Sequence, residues 1–306
     1  MDDKTRNSLT GSLQLLLAAL IWGTAFVAQS VGMDHVGPFT FNAVRNLIGA
    51  LFLVPFILIL NRVRRRGEQK AADAAERKQA LTGGLVCGLF LCIAGNLQQF
   101  GIRETTVGKA GFITALYIVM VPLLGVFIGK KVRLNLWISV ALSLIGMYLL
   151  CITEKLTIGR GDIFVLGSAL GFAFQILSVD HYAARIDGIL LACLEYFFCS
   201  IFTFVLMFAF ETPRMADILA AAGPILYTGI FSCGIAYTLQ ILGQSRVDPT
   251  LASLIMSLEA VISALSGWLI LGQKLSPREL IGAVIMFAAV ILAQFPLERK
   301  NAGKGE

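Results

Sequence analysis

The 306-residue chain is 57% hydrophobic and only 14% charged, with a mean hydropathy of +0.79 and a formal net charge of +6. Soluble domains carry roughly 25% charged residues, so a soluble enzyme or binding module is excluded and an integral membrane protein remains. The positive excess reads as a topology signal and an attraction to anionic lipid, not as nucleic-acid binding.

In chain order, apolar runs at roughly 11 to 31, 39 to 60, 81 to 101, 108 to 129, 134 to 152, 162 to 180, 189 to 210, 219 to 243, 250 to 271 and 277 to 295 read as ten transmembrane helices. Breakers and charges separate them, as in Asp34-His35-Val36-Gly37-Pro38 and Glu211-Thr212-Pro213-Arg214. The first run follows Lys4 and Arg6 and ends near a cleavage-like Ala28-Gln29-Ser30. It is longer than a signal-peptide core and has an internal counterpart around 161 to 180, so it reads as a retained helix. On it Trp22 and Gln29 stand seven residues apart, one above the other.

Span two carries Arg45 inside its apolar run, and the basic Arg62-Val-Arg-Arg-Arg66 with the polar stretch to Gln79 forms a cytoplasmic connector. Span three opens a repeat. Gly88-Leu-Phe-Leu-Cys92 returns as Gly229-Ile-Phe-Ser-Cys233, and Asn96, Gln99 and Arg103 return as Tyr237, Gln240 and Gln244, a shift of 141. Each set lies on one helical stripe. Span four has Thr114, Tyr117, Pro122 and Gly125, and proline predicts a kink there, static or moving. Span six has Gln175 and Ser178, span seven Glu195, and span nine Glu259 with Ser263 and Ser266 on the same face. Gly84/Gly88, Gly125/Gly129 and Gly167/Gly171 read as close helix packing.

The repeat extends further: Ala19-Leu20 matches Ala169-Leu170, and Ile128-Gly-Lys-Lys-Val132 is answered by Leu271-Gly-Gln-Lys-Leu275. Five spans per half is an odd number, so the second half enters the membrane from the opposite side. The fold expected is an all-α integral membrane protein of ten transmembrane helices in two inverted five-helix repeats, residues 1–153 and 154–306. With the N-terminus inside, seventeen of the twenty-five Lys and Arg residues fall on the cytoplasmic side and seven on the other, so both termini are expected in the cytoplasm.

Ala18-Ala-Leu-Ile-Trp-Gly-Thr-Ala-Phe26 and Ser257-Leu-Glu-Ala-Val-Ile-Ser-Ala-Leu-Ser-Gly-Trp-Leu-Ile-Leu-Gly-Gln-Lys-Leu-Ser276 resemble EamA-type members of the drug/metabolite transporter superfamily. The resemblance covers the whole chain. It implies a central substrate cavity between the repeats and export or import of small metabolites through the cytoplasmic (plasma) membrane, with export favoured. The family often has Glu-Pro where this chain has Glu259-Ala260, which predicts a straighter ninth helix, and Glu where this chain has Gln273.

Ionisable groups in hydrocarbon are costly, so Arg45, Glu195 and Glu259 are the default functional candidates. Arg45 and Glu195 either serve coupling or pair with each other to fix helices two and seven. Trp22, Asn96, Gln99, Tyr117, Gln175, Tyr237, Gln240 and Glu259 form the candidate substrate shell for an amino acid or related amphiphile, the amides being equally suited to joining helices. Protons are a candidate coupling ion through Glu259 or Glu195. No cofactor is expected: the six cysteines form no Cys-x-x-Cys, the two histidines fall on opposite sides, and there is no Walker A loop. A facilitative uniporter, a membrane enzyme and a scaffold are the alternatives, and the state is monomer or homodimer.

Overall fold

The computed structural model describes residues 3–66, 74–105, 107–151, 159–271 and 276–294. Gln273, Lys155, Lys274, residues 67–73 of the connector, the repeat match at 272–275 and the boundary at 153/154 lie outside these residues.

Among the described residues the regular structure is helical: α1 (Asp3–Gly32), α2 (Pro38–Arg66), α3 (Ala74–Glu104), α4 (Val107–Thr114), α5 (Tyr117–Phe127), α6 (Leu134–Cys151), α7 (Arg160–Ala183), α8 (Gly188–Phe210), α9 (Met215–Ala220), α10 (Ala222–Tyr227), a π-helical stretch Thr228–Ala236, α11 (Tyr237–Gln244), α12 (Pro249–Met256), α13 (Glu259–Leu271) and α14 (Pro277–Gln294). Among the described residues nine spans are long and apolar enough to cross a bilayer, and Leu134–Leu149 supplies a shorter tenth. The chain is therefore a ten-helix, all-α membrane protein. Side chains such as Phe208, Leu269 and Val284, 72%, 71% and 67% exposed, form the lipid-facing surface.

Local chemistry sets the helix starts. Asp187 accepts from the backbone N–H of Ile189 and Leu190 to begin α8, and Asp248 accepts from Thr250 N–H ahead of Pro249 to begin α12. α1 runs through the centre, with Leu15, Ala18, Ala19 and Ala25 fully buried against α11, α12 and α13. α3 packs on α7 and α8, α2 on α8, and α6 on α14. Gly88 and Gly171 permit close approaches: an added Cβ would lie 2.6 Å from the Glu195 carbonyl and 2.9 Å from Ala94 Cβ.

Two expectations are corrected. The Gly125/Gly129 pair does not pack helices, because Gly129 adopts φ +82° and closes the turn after α5, with no atom within 4 Å of an added Cβ. The interruption of span four falls at Ala115–Leu116 rather than at Pro122, which lies inside α5. There the ladder tightens, Leu116 N–H bonding Ile113 O and Ile118 N–H bonding Ala115 O.

Span nine breaks in the same way although it lacks the proline. Leu258 N–H bonds Ile255 O and Ala260 N–H bonds Ser257 O, each donor 142 residues beyond its counterpart in span four. A straighter ninth helix is thereby overturned: the break forms with alanine at residue 260, whose N–H makes one of the two i→i−3 bonds. The π-helical stretch between α10 and α11 had no sequence signal.

Candidate functional site

The three irregularities meet at one place. Tyr117 is the first residue of α5, Glu259 the first of α13 and Tyr237 the first of α11, and all three line a buried cavity of about 40 Å³. That space takes about three waters. Every span contributes to the wall except α6 and α14, which pair at the periphery.

Tyr117 donates its hydroxyl proton to Glu259 Oε1 at 2.9 Å, tying the two broken helices together. Trp22 meets Tyr237 edge-on with ring centroids 4.6 Å apart, and Tyr196 also meets Tyr237 edge-on at 5.3 Å. Gln240 donates to Gln175 Oε1 at 3.1 Å, and Gln175 donates onward to Glu195 Oε1 at 2.7 Å. Arg45 lies over the Phe41 ring and donates to Gln29 Oε1 at 2.8 Å.

Six members of the expected shell thus reach the cavity: Trp22, Tyr117, Gln175, Tyr237, Gln240 and Glu259, with Arg45 beside them. Asn96, Gln99 and Glu195 stand behind it. Asn96 accepts from Asn42 at 3.0 Å and donates to the Cys92 carbonyl and to Thr203, joining α2, α3 and α8. Gln99 donates to the Gln29 carbonyl at 3.3 Å. Arg45 and Glu195 form no ion pair; each bonds a glutamine on a different helix, Gln29 on α1 and Gln175 on α7, and Arg45 Nε and Glu195 Oε2 stay unpaired.

The stripe of α3 that faces inward is Leu91, Gly95 and Gln98, one position off the expected one. Gln98 adjoined the chosen Gln99 and donates to Thr114 at 3.1 Å. Cys233, from the repeated stretch, also lines the wall, as do Asn46, Tyr196 and Ser232, which were not candidates. Only their adjacency to Arg45, Glu195 and Cys233 signalled these three.

Among the described residues no three His, Cys, Asp or Glu side chains gather as a metal site. What the cavity offers is recognition. Arg45 brings a fixed cation and Glu259 a carboxyl to the lining of one cavity with no ion pair between them. Trp22 Nε1, Arg45 Nε, Tyr196 Oη and Gln240 Oε1 are buried without a hydrogen-bond partner. Each such atom costs about 1–3 kcal/mol until water or a ligand satisfies it.

The sequence matches the model of the EamA-like transporter family at residues 9–152 and again at 159–295. It is 31% identical over 286 residues to an uncharacterized transporter of Archaeoglobus fulgidus, covering 93% of this chain and 85% of that one. It is 24% identical to the uncharacterized inner membrane transporter YedA of Escherichia coli, covering 89% and 87%, and 23% identical to a chloroplastic WAT1-related protein of Arabidopsis thaliana, covering 92% and 69%. A crystal structure 19% identical in sequence superposes with a TM-score of 0.71 over 92% of this chain and 96% of its own, which shows a shared fold.

Proposed function

The chain belongs to the EamA-like transporter family, and from that premise we propose that it is a secondary transporter of a small zwitterionic metabolite, an amino acid or related amphiphile, working by alternating access. The observation that carries this reading is the joint placement of Arg45 and Glu259 in the lining of one cavity without mutual neutralisation. A carboxylate of the ligand is suited to the guanidinium and an ammonium to Glu259, while Trp22, Tyr237 and Tyr196 cover an apolar body. As a transporter the chain is not an enzyme.

A space of about 40 Å³ is too small for such a ligand, so loading requires the walls to part. The breaks at Ala115–Leu116 and Ser257–Leu258 are the hinges of this motion, and the Tyr117–Glu259 bond links them. Protons are the coupling ion in this reading, carried by Glu259, the one carboxyl among the described residues on the wall. Residues 1–153 and 154–306 are two inverted repeats, supported by the double family match and by breaks 142 residues apart. Both termini are cytoplasmic in the inner or plasma membrane, and export is the favoured direction.

The test is a thermal-shift screen of the purified protein against amino acids, amines, nucleosides, sugars and organic acids. Zwitterions are expected to stabilise it, by about 2.7 kcal/mol at a concentration one hundred times Kd, and Glu259→Gln to abolish the shift. In proteoliposomes the same variant is expected to lose the dependence of transport on a pH gradient. Stabilisation by amines or organic acids alone contradicts the zwitterion, and gradient dependence retained by Glu259→Gln removes it as the proton carrier.

A further inference from the structure

Glu195 is fully buried, does not touch the cavity, and has no cationic partner among the described residues, yet a carboxyl in hydrocarbon is a costly thing to keep. Its one hydrogen-bond partner is the side-chain amide of Gln175, which is also fully buried. Gln175 turns its Nε2 to Glu195 and so has its Oε1 free to accept from Gln240 Nε2. Gln240 in turn is left with Oε1 unpaired, on a residue that lines the cavity and is 1% exposed.

The chain of bonds has a direction, and one end sets it. A primary amide can present either its carbonyl or its N–H2, so two glutamines in series can point either way. A carboxylate has no N–H to give. Placed at the rear, it draws the amide hydrogens of Gln175 toward itself, which in turn draws those of Gln240, and the last carbonyl faces forward. We infer that Glu195 is a positioning residue that fixes the polarity of the Gln175–Gln240 pair and thereby makes the wall at Gln240 a hydrogen-bond acceptor, selecting ligands with an N–H donor. This deepens the proposed zwitterion site and rests on it for the ligand, but not for the orientation of the amides. It gives a carboxyl distant from the ligand a reason to be there, and it makes Gln240 Oε1 a second anchor for an ammonium beside Glu259.

The first measurement needs no ligand. Protein labelled with 15N-glutamine is placed in lipid nanodiscs, and the Gln240 and Gln175 side-chain signals are identified by their loss in Gln240→Leu and Gln175→Leu. Glu195→Gln, nearly the same in shape, is expected to shift both signals while leaving that of Gln14, bonded to Arg246, in place. A Gln240 signal that stays put in Glu195→Gln overturns the relay. A shift of every glutamine would mean a disturbed fold, and Glu195→Asp then decides: it keeps the acceptor, so the relay predicts a return of the Gln240 signal toward its wild-type position, and no return overturns it.

The second measurement uses L-leucine and 4-methylpentanoate, which differ by the ammonium alone. The wild type is expected to prefer leucine, and Glu195→Gln to reduce that preference about tenfold, the worth of one hydrogen bond to a charged group. Gln240→Leu should reduce it by as much, and the double variant by no more than Gln240→Leu alone. Reductions that multiply in the double variant contradict action through Gln240. If the wild type binds neither compound, the zwitterion reading falls for this pair, while the spectra alone decide the relay.

Discussion

A polar side chain within a membrane helix has two ways to be satisfied, by a neighbouring helix or by the cavity, and the two roles separate by experiment. Asn96 spends its amide on Asn42, Cys92 and Thr203. Asn96→Ala is therefore expected to lower stability by about 1 kcal/mol and to leave ligand preference unchanged, measured by thermal unfolding and by the leucine/4-methylpentanoate ratio. A changed ratio with unchanged stability would place Asn96 at the ligand. Periodicity alone made Asn96, Gln99 and Tyr237, Gln240 equivalent, which is as far as a stripe can lead. Three polar residues within one turn and a half of α3, Asn96, Gln98 and Gln99, cover more than one face, so their spacing does not say which face looks inward. Glu259 and Arg45 were legible because the cost of burying a charge leaves few explanations for them.

At the scale of helices, α7 is held at both ends by an ion pair to the two parts of span four. Lys109, on α4, meets Asp162 at 2.5 Å, and Lys130, just beyond α5, meets Asp180. The two aspartates are about 27 Å apart along the helix axis, so the pairs sit near opposite membrane surfaces, on either side of the break at Ala115–Leu116. In alternating access each pair has to open in turn. Asp162→Asn is expected to raise the labelling rate of Cys233, on the cavity wall, by an impermeant thiol reagent from one side only, and Asp180→Asn from the other side only, with Cys233→Ser giving the background. Equal changes from both sides would reduce the pairs to simple staples. Nothing in the residue pattern marks where these helices break. Both breaks arise from i→i−3 bonds with no Pro or Gly at the site, and the expectation of a kink at Pro122 followed the residue type that usually causes one. The π-helical stretch is hidden for a similar reason, since one register shift in the bonding ladder leaves the composition unchanged.

For the molecule as a whole, ten spans were readable because hydrocarbon thickness and backbone hydrogen bonding leave helices of about 20 apolar residues as the simplest solution. The contacts at the helix ends fit the proposed topology. Glu211, after α8, accepts from Phe39 N–H and Thr40 N–H at the start of α2, two ends placed outside, and Arg246 donates to Gln14, two ends placed inside. The size of the cavity was not readable, because it depends on how closely the breaks bring Tyr117 to Glu259. The claim that stands above the rest is that this cavity moves zwitterions. The most direct test is exchange in proteoliposomes preloaded with a mixture of unlabelled amino acids, following uptake of each labelled amino acid in turn. Uptake of at least one above its equilibrium level, lost in Arg45→Gln, is the predicted result. Absence of exchange for every zwitterion, or exchange that survives Arg45→Gln intact, would contradict it.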